Sequence, residues 1–587
     1  MLPSDPLCRV LYVDLSRRRF QIEERRDLFE ESLGGAGVAV RLLEEECPQG
    51  TDPLGPENPV VFAVGPLVGL FPIASKTVAM FKSPHTGNLG ESHAGGRSAV
   101  AIRMAGYGAI VIRGASPTPV YLVVGDQQVH FRDASALWGV RSSYTVGNVL
   151  REKESGSGMR TIMRIGRAGE RRVTYASVIT ETYRHFGRLG LGAVFGSKRL
   201  KAMVVSGRRA LPVADRRAYR KAYDAIFQAA TDSPLMQKYH DLGTPMNVLP
   251  LNTIGALPTR NLQQARFDGA ESISGEHLAE HYLGRRVACA HCPVACIHLA
   301  ALRTPHPREP FFYKTSMLGY DYELIYALGS MLGVSDVPGM LQLMDEVEVQ
   351  GLDAMSTGVV LAWATEALER GLISKAETDG LALLWGDGPT YIQAVRRIVA
   401  QPNDFYGALG RGVSHAASIY GGTDFALSFG GNEMPGYHTG PACHLTYLTG
   451  ARHSHLDSAG YSLDQKAAAE GGSLTPESVA EALLAEERWR QVLASLVVCF
   501  FARAVYTPET VLRALSVLGL ERSSDDLAQL GTETLRLKYA FKRREGFDLA
   551  QLHIPRRILE TPSTLGSLDE AFIRETMQRF AHSVDEP

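Results

Sequence analysis

The apolar pattern of this chain changes character near residue 211, and that change limits the fold more than any other feature. Before it, apolar residues come in short runs at 10–15, 60–64, 78–81, 109–112, 120–124 and 203–205, separated by glycine and proline. Such runs read as strands joined by turns. From Arg216 to Thr231 the apolar residues recur at helical spacing in a charged background. Long helical patterns follow at 337–349, 358–370, 388–399, 476–492 and 508–518. With 587 residues, the chain is too long for one apolar core. The expected fold class is therefore α+β: a β-rich N-terminal base domain over 1–210, then two mainly α-helical domains over 211–420 and 421–587.

The run 492–505 is the most apolar segment. It spans 14 residues, includes Arg503 and is too short for a membrane span, so it reads as a buried helix. No membrane span is expected. The first 20 residues lack a basic region followed by an apolar run, and no signal peptide is expected. Seven cysteines, an odd number, argue against a disulfide framework and for a reducing, cytoplasmic setting. A formal net charge of −2 gives no field that would favour nucleic acid.

Three of the cysteines lie within eight residues, Cys289-Ala290-His291-Cys292-Pro293-Val294-Ala295-Cys296. This spacing admits a structural zinc with His291 or His298 as fourth ligand. It also admits a [4Fe–4S] cluster whose fourth thiolate comes from elsewhere. Three inert core cysteines are the bland alternative. Cys8, Cys47, Cys443 and Cys499 are the candidates for a fourth thiolate, and spacing alone does not choose among them.

Glycine is frequent, 58 residues, about a tenth of the chain against a usual ~7%. The glycines cluster before residue 210, in stretches such as Gly65–Gly69, Ala94-Gly95-Gly96-Arg97 and Gly187-Arg188-Leu189-Gly190-Leu191-Gly192. Backbone amides freed of side chains, with lysine and arginine nearby, can cradle phosphates of a large cofactor. The competing reading is a set of tight turns in a glycine-rich sheet domain. The order G-x-x-G-x-G is not the dinucleotide fingerprint, so no Rossmann domain is expected.

Taken together, these motifs resemble the tungsten-dependent aldehyde:ferredoxin oxidoreductase family along almost the whole chain. The resemblance is carried by Gly34-Gly35-Ala36-Gly37, Lys82-Ser83-Pro84-His85-Thr86-Gly87, Ala105-Gly106-Tyr107-Gly108, the stretch from Gly187-Arg188 to Gly196-Ser197-Lys198, the three-cysteine run, Tyr322-Glu323, and Gly351-Leu352-Asp353-Ala354-Met355-Ser356-Thr357-Gly358. It implies a tungsten (or molybdenum) bis-pyranopterin seated on the β-rich domain, contacted by Lys76, His93, Ala94, Gly95, Gly96, Gly187, Arg188, Gly190, Asp353 and Thr357. It implies a [4Fe–4S] cluster on Cys289, Cys292, Cys296 and Cys499, and a magnesium bridging the pterin phosphates. Glu323 is implied as the general base, with a pKa raised by burial. His455, or His453 two residues earlier, is implied beside it.

Several positions depart from the family pattern. His93 stands for an asparagine that helps hold the magnesium, and Lys76 for an arginine. Glu348 replaces the first aspartate of one pterin-anchoring motif. The second motif, Ala494-Ser495-Leu496-Val497-Val498-Cys499, has lost both its aspartate and its glycine. The resemblance implies oxidation of an aldehyde to a carboxylic acid, with electrons passed to ferredoxin or an iron–sulfur partner subunit, and it allows a homodimer. Two alternatives stand beside it: an aryl-CoA reductase-type catalytic subunit, and a non-catalytic iron–sulfur electron-transfer or scaffold subunit.

Overall fold

The computed structural model describes residues 5–181, 183–306 and 308–585. The chain is an α+β protein with a β-rich N-terminal base and mainly helical regions after it. The base holds twelve strands in two six-stranded sheets. β1 to β6 are Arg9–Asp14, Arg19–Glu24, Val60–Ala63, Thr77–Lys82, Leu89–Ala94 and Ala109–Arg113. β7 to β12 are Val120–Gly125, Gln128–Asp133, Met159–Ile165, Val178–Ile179, His185–Phe186 and Leu200–Gly207.

The two sheets share one topology. The first has the order β2-β1-β6-β3-β4-β5 and the second, read from its other edge, β8-β7-β12-β9-β10-β11. Each has a single parallel pair, β1 with β6 and β7 with β12. In each unit the fifth strand is followed by a short helix, Ser98–Met104 or Leu191–Ser197, that leads into the sixth. The base is thus a duplicated unit. The copies meet along the equivalent edge strands β5 and β11. Phe62 of one sheet packs edge-on against Phe186 of the other, with centroids 5.4 Å apart. β3 and β4 are buried along their whole length, as expected of strands covered on both faces.

The helical regions close over this base. One large apolar core joins the sheets to residues of the helix Arg216–Thr231 and of 492–541; a second joins residues of 248–451 to residues of 479–484 and 535–584. We keep the divisions at 210 and 420 as a proposal, since both cores draw on more than one segment. The region after 210 also contains a three-stranded antiparallel sheet, β13 (Leu283–Val287), β14 (Ile297–His306) and β15 (Glu309–Tyr320). Pro305, Pro307 and Pro310 break the apolar alternation there, so sequence reasoning passed over the hairpin.

The run 492–505 is not one helix. The helix Pro476–Ser495, opened by a capping box of Thr475 and Ser478, stops at Ser495. Val497 then takes a φ of 55° as the chain passes over the base, and a short 3-10 turn follows at Phe500–Ala502. Two glycines make that crossing close. A Cβ on Gly35 would sit 2.1 Å from the Ala494 carbonyl oxygen, and one on Gly65 2.8 Å from that of Leu496. Here the glycines serve backbone packing and not a phosphate cradle. Among the described residues, no single helix is long and apolar enough to cross a membrane.

Candidate functional site

Above the junction of β5 and β11 lies an internal chamber of about 310 Å3. The duplicated edges form its floor. The end of β5 supplies His93 and Gly95, and the end of β11 supplies His185, Gly187 and Arg188. The helical regions supply the walls: Asp321 and Glu323, Glu348, Leu352 to Met355, Tyr437, Arg452, Ser454 to Leu456, and Val498 to Phe501. Ala94, Gly96, Gly190, Thr357 and His453 do not line it.

Arg188 is the best-defined side chain of the floor. Its Nε donates to Asp353 Oδ2 at 3.1 Å and its Nη2 to the Glu433 carbonyl at 2.7 Å. Asp353 is held in turn as the N-cap of the helix Ala354–Glu369, accepting from Met355 N at 3.1 Å. Arg188 Nη1 is buried with no partner among the described residues, as are Arg184 Nε and His455 Nδ1. The two arginine nitrogens are unpaired donors and call for an acceptor-rich ligand, because an unmade buried hydrogen bond costs about 1–3 kcal/mol. Lys76, Arg184, Arg188 and Arg452 all reach the lining. Gly187 faces open space, with only His185 Cβ at 3.8 Å from a Cβ position. A phosphorylated, hydrogen-bonding cofactor fits this set.

The cysteine run forms the connection between β13 and β14. Backbone bonds tie it to the base and to the late segment at one point: Ile73 N donates to the His291 carbonyl at 3.0 Å and Cys499 N to the Ile73 carbonyl at 3.1 Å. Ala290 N donates to the Gly96 carbonyl at 2.9 Å, and Lys76 N to the Val497 carbonyl at 3.2 Å. Cys289, Cys292, Cys296 and Cys499 are close enough to feel one another's charge. Burial pushes the Cys296 thiol up to about 12 and that of Cys292 further. Lys76 and Arg184 face the group: burial alone would lower both, and the thiolates, with Asp321 at Arg184, turn the net shift upward. Such thiols are unstable as bare anions and suit a metal that replaces their protons.

Among the described residues, no three His, Cys, Asp or Glu side chains group as ligands of a single metal ion. Both ring nitrogens of His298 meet backbone carbonyls, of Cys296 at 3.1 Å and of His240 at 3.1 Å. The zinc alternative with His298 as ligand therefore lacks its donor. Of the other cysteines, Cys443 Sγ lies 2.9 Å from Tyr447 Oη and Cys47 is buried beside Pro48, both away from the group.

Opposite the thiols, His455 Nε2 lies 3.2 Å from Glu323 Oε1. The Tyr437 hydroxyl donates to the same oxygen at 3.2 Å. Glu323 sits in the first turn of the helix Tyr322–Leu328, whose N-cap is Asp321. The raised pKa expected for Glu323 is not found. Burial raises it, but the hydrogen bond and charge of His455 outweigh that, and the net shift is downward. The raised carboxyl is its neighbour Asp321, pushed up to about 6 by burial and by Glu323. His453 lies outside the chamber, with Nδ1 on the Tyr447 carbonyl and Nε2 on Lys542, each at 2.8 Å. Between the two histidines left open by the sequence, His455 is the one that faces Glu323.

His93 binds Glu91, 2.6 Å from Nε2 to Oε1, and Glu91 also pairs with Lys538 at 2.5 Å. Burial pushes His93 down to about 4. Sequence reasoning did not pick out Arg184, His185, Tyr437 or Arg452 as site residues. Arg184 and His185 directly precede the Gly187-Arg188 motif, and Arg452 precedes His453, so proximity to motif residues was the available signal.

A duplicated β base, a covered polar chamber and a four-thiol group at its side are what the structure brings together here. Residues 10–207 match the family model for the aldehyde ferredoxin oxidoreductase N-terminal domain, and residues 221–584 match the model for domains 2 and 3. The chain belongs to the aldehyde ferredoxin oxidoreductase family. It is 32% identical to a tungsten-containing aldehyde ferredoxin oxidoreductase of Thermococcus kodakarensis, covering 95% of this chain and 92% of the relative. It is 30% identical to an aliphatic sulfonate oxidoreductase WOR-like subunit of Pyrococcus furiosus, over 67% of this chain and 64% of that one. Its fold is similar to a solved active-site complex of benzoyl coenzyme A reductase, with TM-score 0.84, 22% identity and coverage of 98% and 94%.

Proposed function

We propose that this protein oxidises an aldehyde to a carboxylic acid at a tungsten (or molybdenum) bis-pyranopterin and passes single electrons through a [4Fe–4S] cluster to ferredoxin or an iron–sulfur partner subunit. The observation that carries the reading is the chamber floor. Two topologically equivalent edges, at β5 and β11, each carry a glycine with a cation beside it, Gly95 with Lys76 and Gly187 with Arg188, as a ligand with two similar halves requires. The names of the sequence relatives support tungsten and an aldehyde substrate.

In this reading Lys76, Gly95, Gly187, Arg188 and Asp353 hold the cofactor, and Cys289, Cys292, Cys296 and Cys499 hold the cluster. When bound, the metal supplies a two-electron acceptor and the cluster a one-electron outlet. Glu323 is kept ionised by His455 and Tyr437, so it stands ready to take a proton from water. The His455 side chain donates toward the carbonyl oxygen as charge develops there. Tyr437, Tyr461, Phe500 and Phe501 form an aromatic wall that limits water. A bridging magnesium fits poorly. The Nε2 of His93 is committed to Glu91, and no step is assigned to the ion.

Metal analysis of the purified protein should find one tungsten or molybdenum and about four irons per chain. Aldehydes should reduce a viologen dye. Zinc as sole metal would refute the reading, and dearomatisation of an aryl-CoA without aldehyde oxidation would replace it with the reductase alternative.

A further inference from the structure

A second cavity, of about 460 Å3, lies beside the chamber. Tyr144, Arg164, Glu181, Lys314 and Asp345 line it, and exposed Thr145, Asn148 and Arg151 mark its rim. Glu348 belongs to the walls of both cavities. Its Oε2 lies 2.8 Å from Nε2 of His185, which lines the inner chamber. Asp321 and Glu323 line the same inner chamber as His185, and Asp321 Oδ2 is 3.9 Å from Arg184 Nη1. The hydrogen-bonded pair His185 and Glu348 therefore spans from the chamber that Glu323 and Asp321 line to the outer cavity. There the Tyr144 hydroxyl and Glu181 Oε1 are buried without a partner among the described residues. Water is the usual partner of such atoms in a roomy polar space.

The reaction sets a demand that the thiol side does not meet. Aldehyde plus water gives carboxylate, two electrons and three protons; a C–H bond and the water O–H bonds break and a C–O bond forms. The electrons have an outlet at the cysteines. The protons need another. Resting on the aldehyde-oxidising reading, we propose that His185 and Glu348 form a proton relay from the Glu323 wall of the chamber to the outer cavity. His185 passes a proton to Glu348 as it receives one from the chamber, and Glu348 gives one up to water outside, so the pair carries no net charge change.

The test uses the metal-loaded enzyme and its Glu348→Ala, Glu348→Gln and His185→Gln variants, assayed for dye-coupled aldehyde oxidation in H2O and D2O, with and without added formate. Tungsten and iron contents at wild-type level verify loading. The relay predicts that kcat falls by about tenfold or more with KM unchanged, and that the solvent isotope effect on kcat rises. It also predicts that formate restores Glu348→Ala but not the filled Glu348→Gln. A loaded Glu348→Ala with wild-type kcat, or with a loss that formate leaves untouched, would overturn the relay. If Glu348→Ala does not load, the isosteric Glu348→Gln decides, and an unchanged kcat and isotope effect there overturn it. A wild-type enzyme that oxidises no aldehyde would overturn the functional reading itself, and the relay with it.

Discussion

Arg188→Lys keeps a positive charge in the chamber and removes the planar fork. In the present geometry Arg188 makes two bonds, to Asp353 and to the Glu433 carbonyl, and leaves Nη1 buried and unpaired. A lysine ammonium is a point donor on a differently shaped stem and can keep one of those two bonds. Each charge-assisted bond contributes about 1.5–3 kcal/mol. The cofactor-free protein should thus lose about one such bond. The loaded protein should lose that bond and also the one that Nη1 makes to the cofactor. The difference between the two forms, about 1.5–3 kcal/mol, is what alters binding, and it corresponds to a fall in cofactor affinity of about ten- to hundredfold. The assay is tungsten per chain by mass spectrometry, with pterin released by denaturation and read by fluorescence, over a series of limiting tungstate supplies. Thermal-inactivation half-lives of the loaded and cofactor-free forms give the stability side. A lysine variant that loads tungsten and pterin as the wild type does across the series would refute the assignment of Nη1 to the cofactor. Equal destabilisation of the two forms would leave Arg188 as a brace for Asp353 alone.

Three further outcomes are expected. Gly95→Ala places a Cβ 2.8 Å from Cys289 Sγ and 3.4 Å from Lys76 Nζ, an overpacking worth about 1–3 kcal/mol, so iron per chain should drop while tungsten is less affected. Glu323→Gln should retain both metals and lower kcat by about 10²–10⁴-fold; a variant of wild-type rate would remove Glu323 from the base role. Glu487, fully buried, is pushed up to about 8 chiefly by burial, with Asp457 adding to it. Its folded pKa lies above its unfolded value, so its contribution to stability is complete below about 4.3 and is lost as pH rises towards 8. Glu487→Gln should therefore flatten the decline in inactivation half-life between pH 5 and 9, and an identical decline in both proteins would contradict it.

Much of the local structure was legible because single side chains carry it. Asp353, Thr475 and Thr507 each cap a helix that the apolar spacing had already marked. The duplication of the base was not legible. It resides in strand order, and strands as short as Val178–Ile179 and His185–Phe186 leave too few residues for a repeat to show. The cysteine run announced a metal, but the fourth thiol depends on a crossing between segments more than 200 residues apart in sequence, which spacing cannot reveal. The glycine motifs were ambiguous for a physical reason: glycine admits a close approach, and the approaching group can be a ligand or another backbone. At Gly187 there is room for a ligand, whereas at Gly35 and Gly65 the late segment fills the space. Glu323 shows the limit of burial as a predictor, since its partner His455 reversed the sign that burial alone would impose.

The duplicated base makes the departures around the late segment intelligible. A twofold scaffold offers two equivalent edges, but the helical regions treat them differently. The β11 edge meets carboxylates: Arg188 pairs with Asp353 and His185 with Glu348. The β5 edge meets the segment 494–499, which has no carboxylate to offer. There the backbone takes over. Val497 O accepts from Lys76 N, and Ser495 Oγ accepts from Gly37 N at 3.1 Å. Lys76 itself is left facing the thiols. On this argument a segment without a carboxylate suits this side, because a negative side chain beside the thiols would add to the charge of the cysteines. An aspartate at Val498, which lines the chamber next to Cys499, would be buried beside the thiols with Lys76 as the shared cation, and like charges in one buried site oppose each other. Val498→Asp should therefore lower iron retention. A variant that retains iron better than the wild type would show instead that a carboxylate is missing from this half of the site.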